Sequence, residues 1–238
     1  MKQLQQIKHV FPGGNTSKGF YSFYDYIIRE EPEHVFVLKG GPGVGKSTFM
    51  RAIAQELLDR GLKVEYHHCS SDPESLDGVA FPELRIAIID GTAPHVVDPK
   101  YPGCIDEILH LNHYLNETKL RENRAEILKL NAQSSEFFQR AYKYLAAAES
   151  VYQDWETTIK KHISSGYINQ KAVELINRIY GNREISNTEG QIRHLFASAI
   201  TPDGMVNHLE SLIDPMPLKI VLHGLPGTGR SRLLYKVA

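Results

Sequence analysis

Gly40-Gly-Pro-Gly-Val-Gly-Lys-Ser-Thr48 is the stretch that decides the fold, because it contains a complete G-x-x-x-x-G-K-[ST] motif. The apolar run Val35-Phe-Val-Leu38 directly precedes it and predicts a strand that is buried on both faces. Apolar residues follow at helical spacing from Ser47 to about Arg60, and Gly61 stands where a helix C-cap glycine belongs. Strand, glycine-rich loop and helix in this order predict a phosphate-binding loop (P-loop).

Two more strands are expected further along the chain, at Lys63-Val-Glu-Tyr-His67 and Arg85-Ile-Ala-Ile-Ile-Asp90. Asp90 ends the second run and has the form of a Walker B aspartate, which holds a magnesium ion. The sequence therefore predicts an α/β fold, with the parallel sheet of a P-loop NTPase, a long helical insertion and a fragment of a duplicated second domain.

The chemistry expected of the loop is the binding of a nucleoside triphosphate. Backbone N–H groups and a helix N-terminus attract phosphate, and glycine lets the backbone approach it closely. Lys46 is expected to reach the β- and γ-phosphates, Ser47 to complete the Mg²⁺ shell with Asp90, and Thr48 to contact the α-phosphate. The predicted cofactors are ATP and Mg²⁺, the predicted catalytic residues are Lys46 and Asp90, and the predicted cradle is Gly41, Pro42, Gly43, Val44, Gly45, Lys46, Ser47 and Thr48.

The sequence does not indicate which chemical step follows nucleotide binding. Gly91 follows Asp90 at the position where many ATPases carry a glutamate that activates water. Three functions therefore stay open: an ATPase, a small-molecule or nucleotide kinase, and a non-catalytic nucleotide-gated interaction module. Several side chains could take part in that step, and the alternative for each of them is a structural role, in which its hydrogen bond anchors a loop. The candidates for a general base or for contact with an acceptor are His68, Cys69, Asp72, Thr92, His95 and Asp98.

A structural zinc site is a weaker hypothesis, suggested by His67, His68, Cys69, His95 and Cys104. Neither a C-x-x-C nor an H-x₃₋₅-H spacing supports it.

Helical patterns fill the middle of the chain, and an insertion is expected over about 105–180. Residues 105–117 are expected to form a helix, residues 119–163 one long helix or a helical hairpin ended by Gly166, and residues 170–180 a shorter helix stopped by Gly181. This insertion is either an arm that binds a protein partner or the helical cover of the sheet.

A second loop, Gly224-Leu-Pro-Gly-Thr-Gly-Arg-Ser231, indicates an internal duplication. The segment that leads into it also repeats, since Gln6-Ile-Lys-His-Val-Phe11 returns as Gln191-Ile-Arg-His-Leu-Phe196. We expect a strand at Leu218–Leu222, a helix from Ser231 to Ala238, and two domains, 1–188 and a truncated repeat at 189–238. Arg230 replaces the lysine, which suggests a degenerated copy.

Composition narrows the class of protein. The net charge of −1 gives no general attraction to nucleic acid or to a membrane surface. Only two cysteines and no apolar leader or membrane-length run predict a cytoplasmic protein. An Asn-Lys-x-Asp guanine motif and a Leu-Ser-Gly-Gly-Gln motif are both missing, which argues against a GTPase and an ABC transporter subunit.

The chain resembles an uncharacterised family of tandem P-loop, ATPase-like proteins of Gram-positive, mostly spore-forming bacteria. The resemblance implies ATP binding and hydrolysis without a defined substrate, and members of that family continue through a full second P-loop domain. The chain departs from the family pattern at Arg230. The stretches that carry the resemblance are Phe11–Phe20, Lys39–Thr48, His68–Pro73, Asp90–His95 and Phe196–Gly204.

Overall fold

The computed structural model describes residues 7–28, 31–93, 95–181, 190, 192–213, 216 and 218–237. The fold is α/β and contains a mostly parallel six-stranded sheet, which confirms the predicted class. Two compact units are present: the first joins Met1–Tyr142 to Arg193–Pro217, and the second joins Lys143–Ile192 to Leu218–Ala238.

The sheet lies in the first unit, and its strand order is β1-β5-β6-β7-β4-β8. The strand β6 runs antiparallel to both of its neighbours, whereas the other three strand pairs are parallel. The strands are β1 (Ile7–Val10), β4 (His34–Lys39), β5 (Val64–His68), β6 (Leu76–Phe81), β7 (Ile86–Asp90) and β8 (Asp106–His110).

Sequence patterns located β4, β5 and β7 within one residue at each end, and they also located the helix α1 (Lys46–Asp59). Helix α1 packs on one face of the sheet through Met50 and Ala54, which are fully buried with Leu38 and Val64. Gly61 follows the helix at φ 86°, in the left-handed conformation that glycine adopts easily.

The prediction of a helix over 105–117 is wrong, because this segment supplies β8, an edge strand parallel to β4. Its pairing places Ile108 beside Val37, so ladder hydrogen bonds decide the conformation. The carboxylate of Asp106 also accepts hydrogen bonds from the backbone N–H groups of Lys100 and Tyr101, at 2.6 Å each. The strand pairing is long-range, and the hydrogen bonds of Asp106 depend on a turn. The spacing of apolar residues in the sequence gives no information about either.

The strand β6 had no counterpart among the sequence predictions. It lies between β5 and β7, so those two predicted strands are not direct neighbours. All six of its residues are buried. Glycine suits position 78, because a Cβ there would make a tight contact of 3.2 Å with the Ile88 carbonyl oxygen.

The long helical pattern forms one continuous helix rather than a hairpin. The short helix α2 (Glu117–Glu122) is followed by α3 (Arg124–Lys160), a helix of 37 residues. No residue of α3 is buried.

The prediction that Gly166 ends the long helix was wrong. Gly166 lies in the first turn of the next helix, α4 (Ser165–Tyr180), and does not terminate α3. Gly181 does stop α4, as predicted, and its N–H donates to the Asn177 carbonyl.

Two hairpins in the first unit have the same turn, 185 residues apart. They join β2 (Gly13–Thr16) to β3 (Gly19–Ser22) and β9 (Ser198–Thr201) to β10 (Gly204–Asn207). In the first turn the Thr16 hydroxyl donates to the Gly19 carbonyl at 2.7 Å, and in the second Thr201 donates to Gly204 at 2.9 Å. Phe11 and Phe196 also exchange backbone hydrogen bonds, which pairs one position with its repeat.

The last described segments contain the helices α5 (Leu209–Ile213) and α6 (Arg230–Val237). The strand predicted at 218–222 is wrong: these described residues belong to no strand and are mostly exposed, and no described strand pairs with them. Gln6, Gln191, Ala238 and the predicted domain boundary at 188 and 189 lie outside the described residues. Within the described part of the chain, none of the helices is both long enough and apolar enough to span a membrane.

Candidate phosphate-binding site

The first glycine-rich loop connects β4 to α1 and presents an open inner face. Gly43 and Gly45 have φ values of 77° and 95°, a conformation that side-chain-bearing residues adopt at a cost. A Cβ built on either glycine would meet no atom within 4 Å. The glycines are therefore not required by packing, and their exposed backbone leaves room for an anion at the N-terminus of α1.

Lys46 and Asp90 come together at this loop. Their Nζ and Oδ2 atoms are 3.5 Å apart, because β4 and β7 are adjacent parallel strands that end at the same edge of the sheet. The Lys46 ammonium also donates to the carbonyl oxygens of Gly40 and Gly41, at 2.6 and 3.1 Å. A cation and a carboxylate thus stand side by side at the mouth of the loop.

A cavity of about 410 Å³ opens in front of the loop. Parts of the loop, α1, β6, β7 and the turn after β5 contribute to its walls. Its lining residues are Tyr24, Pro42, Gly43, Gly45, Lys46, Ser47, Thr48, Cys69, Ser71, Asp72, Ser75, Leu76, Asp77, Asp90, Thr92, Ala93 and His95.

Asp77 is a charged lining residue that the sequence patterns did not indicate. It is 7% exposed, and its Oδ2 atom makes no hydrogen bond to the described residues. Burial raises the pKa of Asp77 to about 6, and the charges of Asp90 and Asp72 act in the same direction. The neighbouring Tyr24 and Cys69 oppose the rise in this pKa, although the Tyr24 hydroxyl makes no hydrogen bond of ordinary geometry.

Side chains from distant segments anchor the loop. The Thr92 hydroxyl accepts from the Gly40 N–H at 3.2 Å, and the Asn112 amide oxygen accepts from the Gly41 N–H at 3.1 Å. The Ser47 hydroxyl accepts from the Leu76 N–H at 3.2 Å, which ties the start of α1 to β6. Asn112 was absent from the sequence predictions, since it follows a strand that had been expected to be helical.

The other sequence candidates separate into two groups. Cys69, Asp72, Thr92 and His95 line the cavity. Burial raises the pKa of the Cys69 thiol to about 12, so this cysteine is a poor nucleophile at neutral pH. The carboxylate of Asp72 accepts from the Ser75 hydroxyl at 2.6 Å.

The remaining two candidates are engaged elsewhere. Asp98 is mostly exposed and pairs with the Lys39 ammonium at 3.0 Å. His68 turns away from the cavity, toward His9, whose Nδ1 lies 2.9 Å from the His68 Nε2. Burial lowers the pKa of His68 to about 4.

The histidines form an aromatic cluster rather than a recognisable zinc site. The rings of His9, His68 and His208 are tilted against one another, with centroids 4.6–5.3 Å apart. Among the described residues, no group of three or more His, Cys, Asp and Glu side chains is arranged to hold a metal ion. His67 is fully buried, and burial lowers its pKa to about 3, so its ring is neutral.

The second loop, in the other compact unit, has the same backbone form with different surroundings. Gly227 and Gly229 have φ values of 80° and 85°, and a cavity of about 400 Å³ lies beside them. A Cβ on Gly227 would overlap the main chain of Glu156, and one on Gly229 would overlap Ile168. The inner face of this loop is therefore partly filled by Glu156 and Ile168, next to the cavity.

Comparison with protein-family models gives a match over part of the chain. The model of the family described as nephrocystin 3, N-terminal, matches residues 21–142, which is just over half of the chain. Neither the curated proteins nor the solved structures contain a significant match.

Proposed function

This chain belongs to the nephrocystin 3 N-terminal family, and from that premise we propose that its first loop binds Mg·ATP and that the adjacent cavity hydrolyses it. The observation that carries the proposal is the pair Lys46 and Asp90, 3.5 Å apart beside a loop whose glycines face open space.

The residues present fit the nucleotide. The backbone from Gly41 to Thr48 would form the cradle, with left-handed Gly43 and Gly45 leaving the space that phosphate oxygens need. Lys46 would donate to the β- and γ-phosphates, and Thr48 would contact the α-phosphate.

The metal also fits. A hydroxyl at Ser47 and a carboxylate at Asp90, both lining the cavity, are the hard oxygen donors that Mg²⁺ prefers. When bound, Mg²⁺ would neutralise charge on the phosphate oxygens. Asp90 is already held in place, because its Oδ1 accepts from the Thr92 N–H at 2.9 Å.

Phosphate release, with analysis of the products, tests the proposal. We expect Lys46→Ala to lower turnover about 100-fold or more, since one preorganised donor to the transition state contributes on the order of 10²–10³ in rate. Lys63→Ala is the matched control, because Lys63 is exposed and pairs with Glu83 outside the cavity. Unchanged turnover in Lys46→Ala would refute the assignment, and phosphate found on an added metabolite would assign a kinase instead.

A nucleotide-gated interaction module is a second candidate, supported by the surface of α3. Leu130, Phe137, Tyr144 and Val151 are 55–73% exposed and recur every seven residues, which places them on one side of the helix. This candidate predicts tight nucleotide binding, negligible turnover, and a protein partner that is lost when residues 119–163 are deleted. Steady turnover by the wild-type chain would decide against it.

We also infer that the chain contains a duplicated P-loop unit, as in the tandem ATPase-like proteins that it resembles. The supporting observations are the two hairpins with matching threonine turns and the two loops with matching glycine conformations. A cytoplasmic location remains a proposal, and it agrees with the use of Mg·ATP and with two unpaired cysteines, Cys69 and Cys104.

A further inference from the structure

Asp77 occupies an unusual position at the end of an antiparallel strand. In the ladder between β6 and β7, Gly78 pairs with Ile89, so Asp77 and Asp90 are the next residues on neighbouring strands. Both side chains line the cavity in front of the first loop. The antiparallel strand therefore brings a second carboxylate to the edge where the Asp90 strand ends.

No cation balances this carboxylate among the described residues, and the polar side chains that act on it are those of Tyr24 and Cys69. Asp77 makes no ion pair with any described residue, and its Oδ2 atom has no hydrogen-bond partner among them. The nearby Lys46 ammonium is engaged with Asp90 and two loop carbonyls. An unpaired acid in a buried site is unfavourable for folding, and such groups are concentrated at functional sites.

The other candidates for a base are less suitable. Thr92 is engaged by the Gly40 N–H, and Asp98 by Lys39. Asp72 accepts from Ser75. His95 is the competing base, since its Nε2 also has no hydrogen-bond partner among the described residues, but its ring is stacked on Phe20 with centroids 3.7 Å apart.

We propose that Asp77 is the general base of this cavity, accepting through its unpartnered Oδ2 the proton of the group that attacks the terminal phosphate. The inference rests on the proposed function and supplies the base that Gly91 cannot provide. In hydrolysis, the water oxygen forms a bond to the γ-phosphorus while its proton passes to Asp77. The bond from that phosphorus to the bridging oxygen breaks, and ADP leaves with the electron pair. Asp77 then returns the proton to solvent, so ATP and water give ADP, phosphate and a proton.

The surroundings of Asp77 suit this role. Burial raises its pKa to about 6 and outweighs the opposing effects of Tyr24 and Cys69, while the charges of Asp90 and Asp72 raise this pKa by smaller amounts. A carboxylate with this pKa is ionised at pH 7.5 and is still basic enough to take a proton in the transition state. The other titratable groups that line the cavity are Lys46 and His95.

The test combines phosphate release from pH 5 to pH 9 with nucleotide binding at pH 7.5, on the full chain. We expect wild-type turnover to fall at low pH, so that the pH profile has an acid limb, because a protonated base cannot accept the proton of the attacking group. Asp77→Asn should bind nucleotide within a few-fold of wild type, lose about 10²–10⁴ in turnover, and lose the acid limb. Asp77→Glu should keep a limb at a shifted pH, which provides a second readout if the asparagine variant folds poorly.

Two further variants sharpen the result. Asp98→Asn removes an exposed carboxylate outside the cavity and should keep wild-type turnover. His95→Gln tests the competing base and should retain the acid limb whatever its rate. If Asp77→Asn keeps wild-type turnover or an unchanged acid limb, Asp77 is not the base, although the proposed hydrolysis stands. Loss of the acid limb in His95→Gln would have the same meaning. A wild-type chain that binds no nucleotide, or that binds it without turnover, would overturn the proposed hydrolysis as well.

Discussion

The two glycine-rich loops of this chain have nearly the same backbone and opposite surroundings. In the first, the Phe49 N–H donates to the Gly45 carbonyl at 2.9 Å, and in the second the Leu233 N–H donates to Gly229 at 2.8 Å. The left-handed glycines also match, residue by residue. What differs is the inner face, which is open at Gly43 and Gly45 and covered at Gly227 and Gly229.

The chemistry beside the loops differs as well. The first cavity is lined by three carboxylates, Asp72, Asp77 and Asp90, whereas the second is lined by one, Glu156. The comparison teaches that a local motif specifies the cradle, while distant strands supply the groups that would make the cradle a catalytic site.

Alanine at equivalent glycines should separate binding from stability, and this is the largest effect that we expect. Gly45→Ala places a methyl group where phosphate would lie and should weaken nucleotide binding by at least about 100-fold, with a stability cost of about 1–2 kcal/mol for the left-handed conformation. Gly229→Ala should leave binding unchanged and cost about 2–5 kcal/mol, because overpacking against Ile168 is added to the strain. Nucleotide titration and urea unfolding measure the two effects. Equal changes in nucleotide affinity and in the free energy of unfolding for the two variants would show that the two loops do not differ in this way.

A smaller effect should appear in the pH dependence of stability. The pKa of Asp77 is about 6 in the folded chain against an ordinary value of 3.8, so the folded protein binds this proton more tightly than the unfolded one. The stabilisation is complete below about pH 4 and is lost as the pH rises through 6, where the charged group costs about 3 kcal/mol.

Asp77→Asn removes that charge, and it should therefore raise the free energy of unfolding by about 1–3 kcal/mol at pH 7.5 and change it little at pH 4. Glu156→Gln is the control from the second cavity, because it makes the same change of charge at an exposed carboxylate. Denaturant unfolding at the two pH values checks both variants. A pH-independent effect of Asp77→Asn would mean that its carboxyl is not perturbed by burial.

The smallest expected effect belongs to Arg230→Lys, which restores the complete motif to the second loop. We expect no gain in bound nucleotide or in turnover, because the inner face of that loop stays covered by Glu156 and Ile168. A second binding event in this variant would show that the arginine alone silences the loop.

The sequence predicted those parts of the site that depend on short segments. The order of strand, loop and helix around Lys46 follows from a motif of eight residues, and Asp90 ends an apolar run that only a buried strand explains. Asp77 and Asn112 could not be placed in this way. Their strands, β6 and β8, are defined by pairing with β7 and β4, and the run Leu76-Asp-Gly-Val-Ala-Phe81 contains a polar residue and a glycine that weaken its strand signal.

The number of nucleotides bound per chain tests the central claim most directly. Calorimetric titration of the wild-type chain with a slowly hydrolysed ATP analogue and Mg²⁺ should give one site, which Lys46→Ala removes and Arg230→Ala leaves intact. Two sites per chain, or one site that survives Lys46→Ala and disappears in Arg230→Ala, would contradict the account.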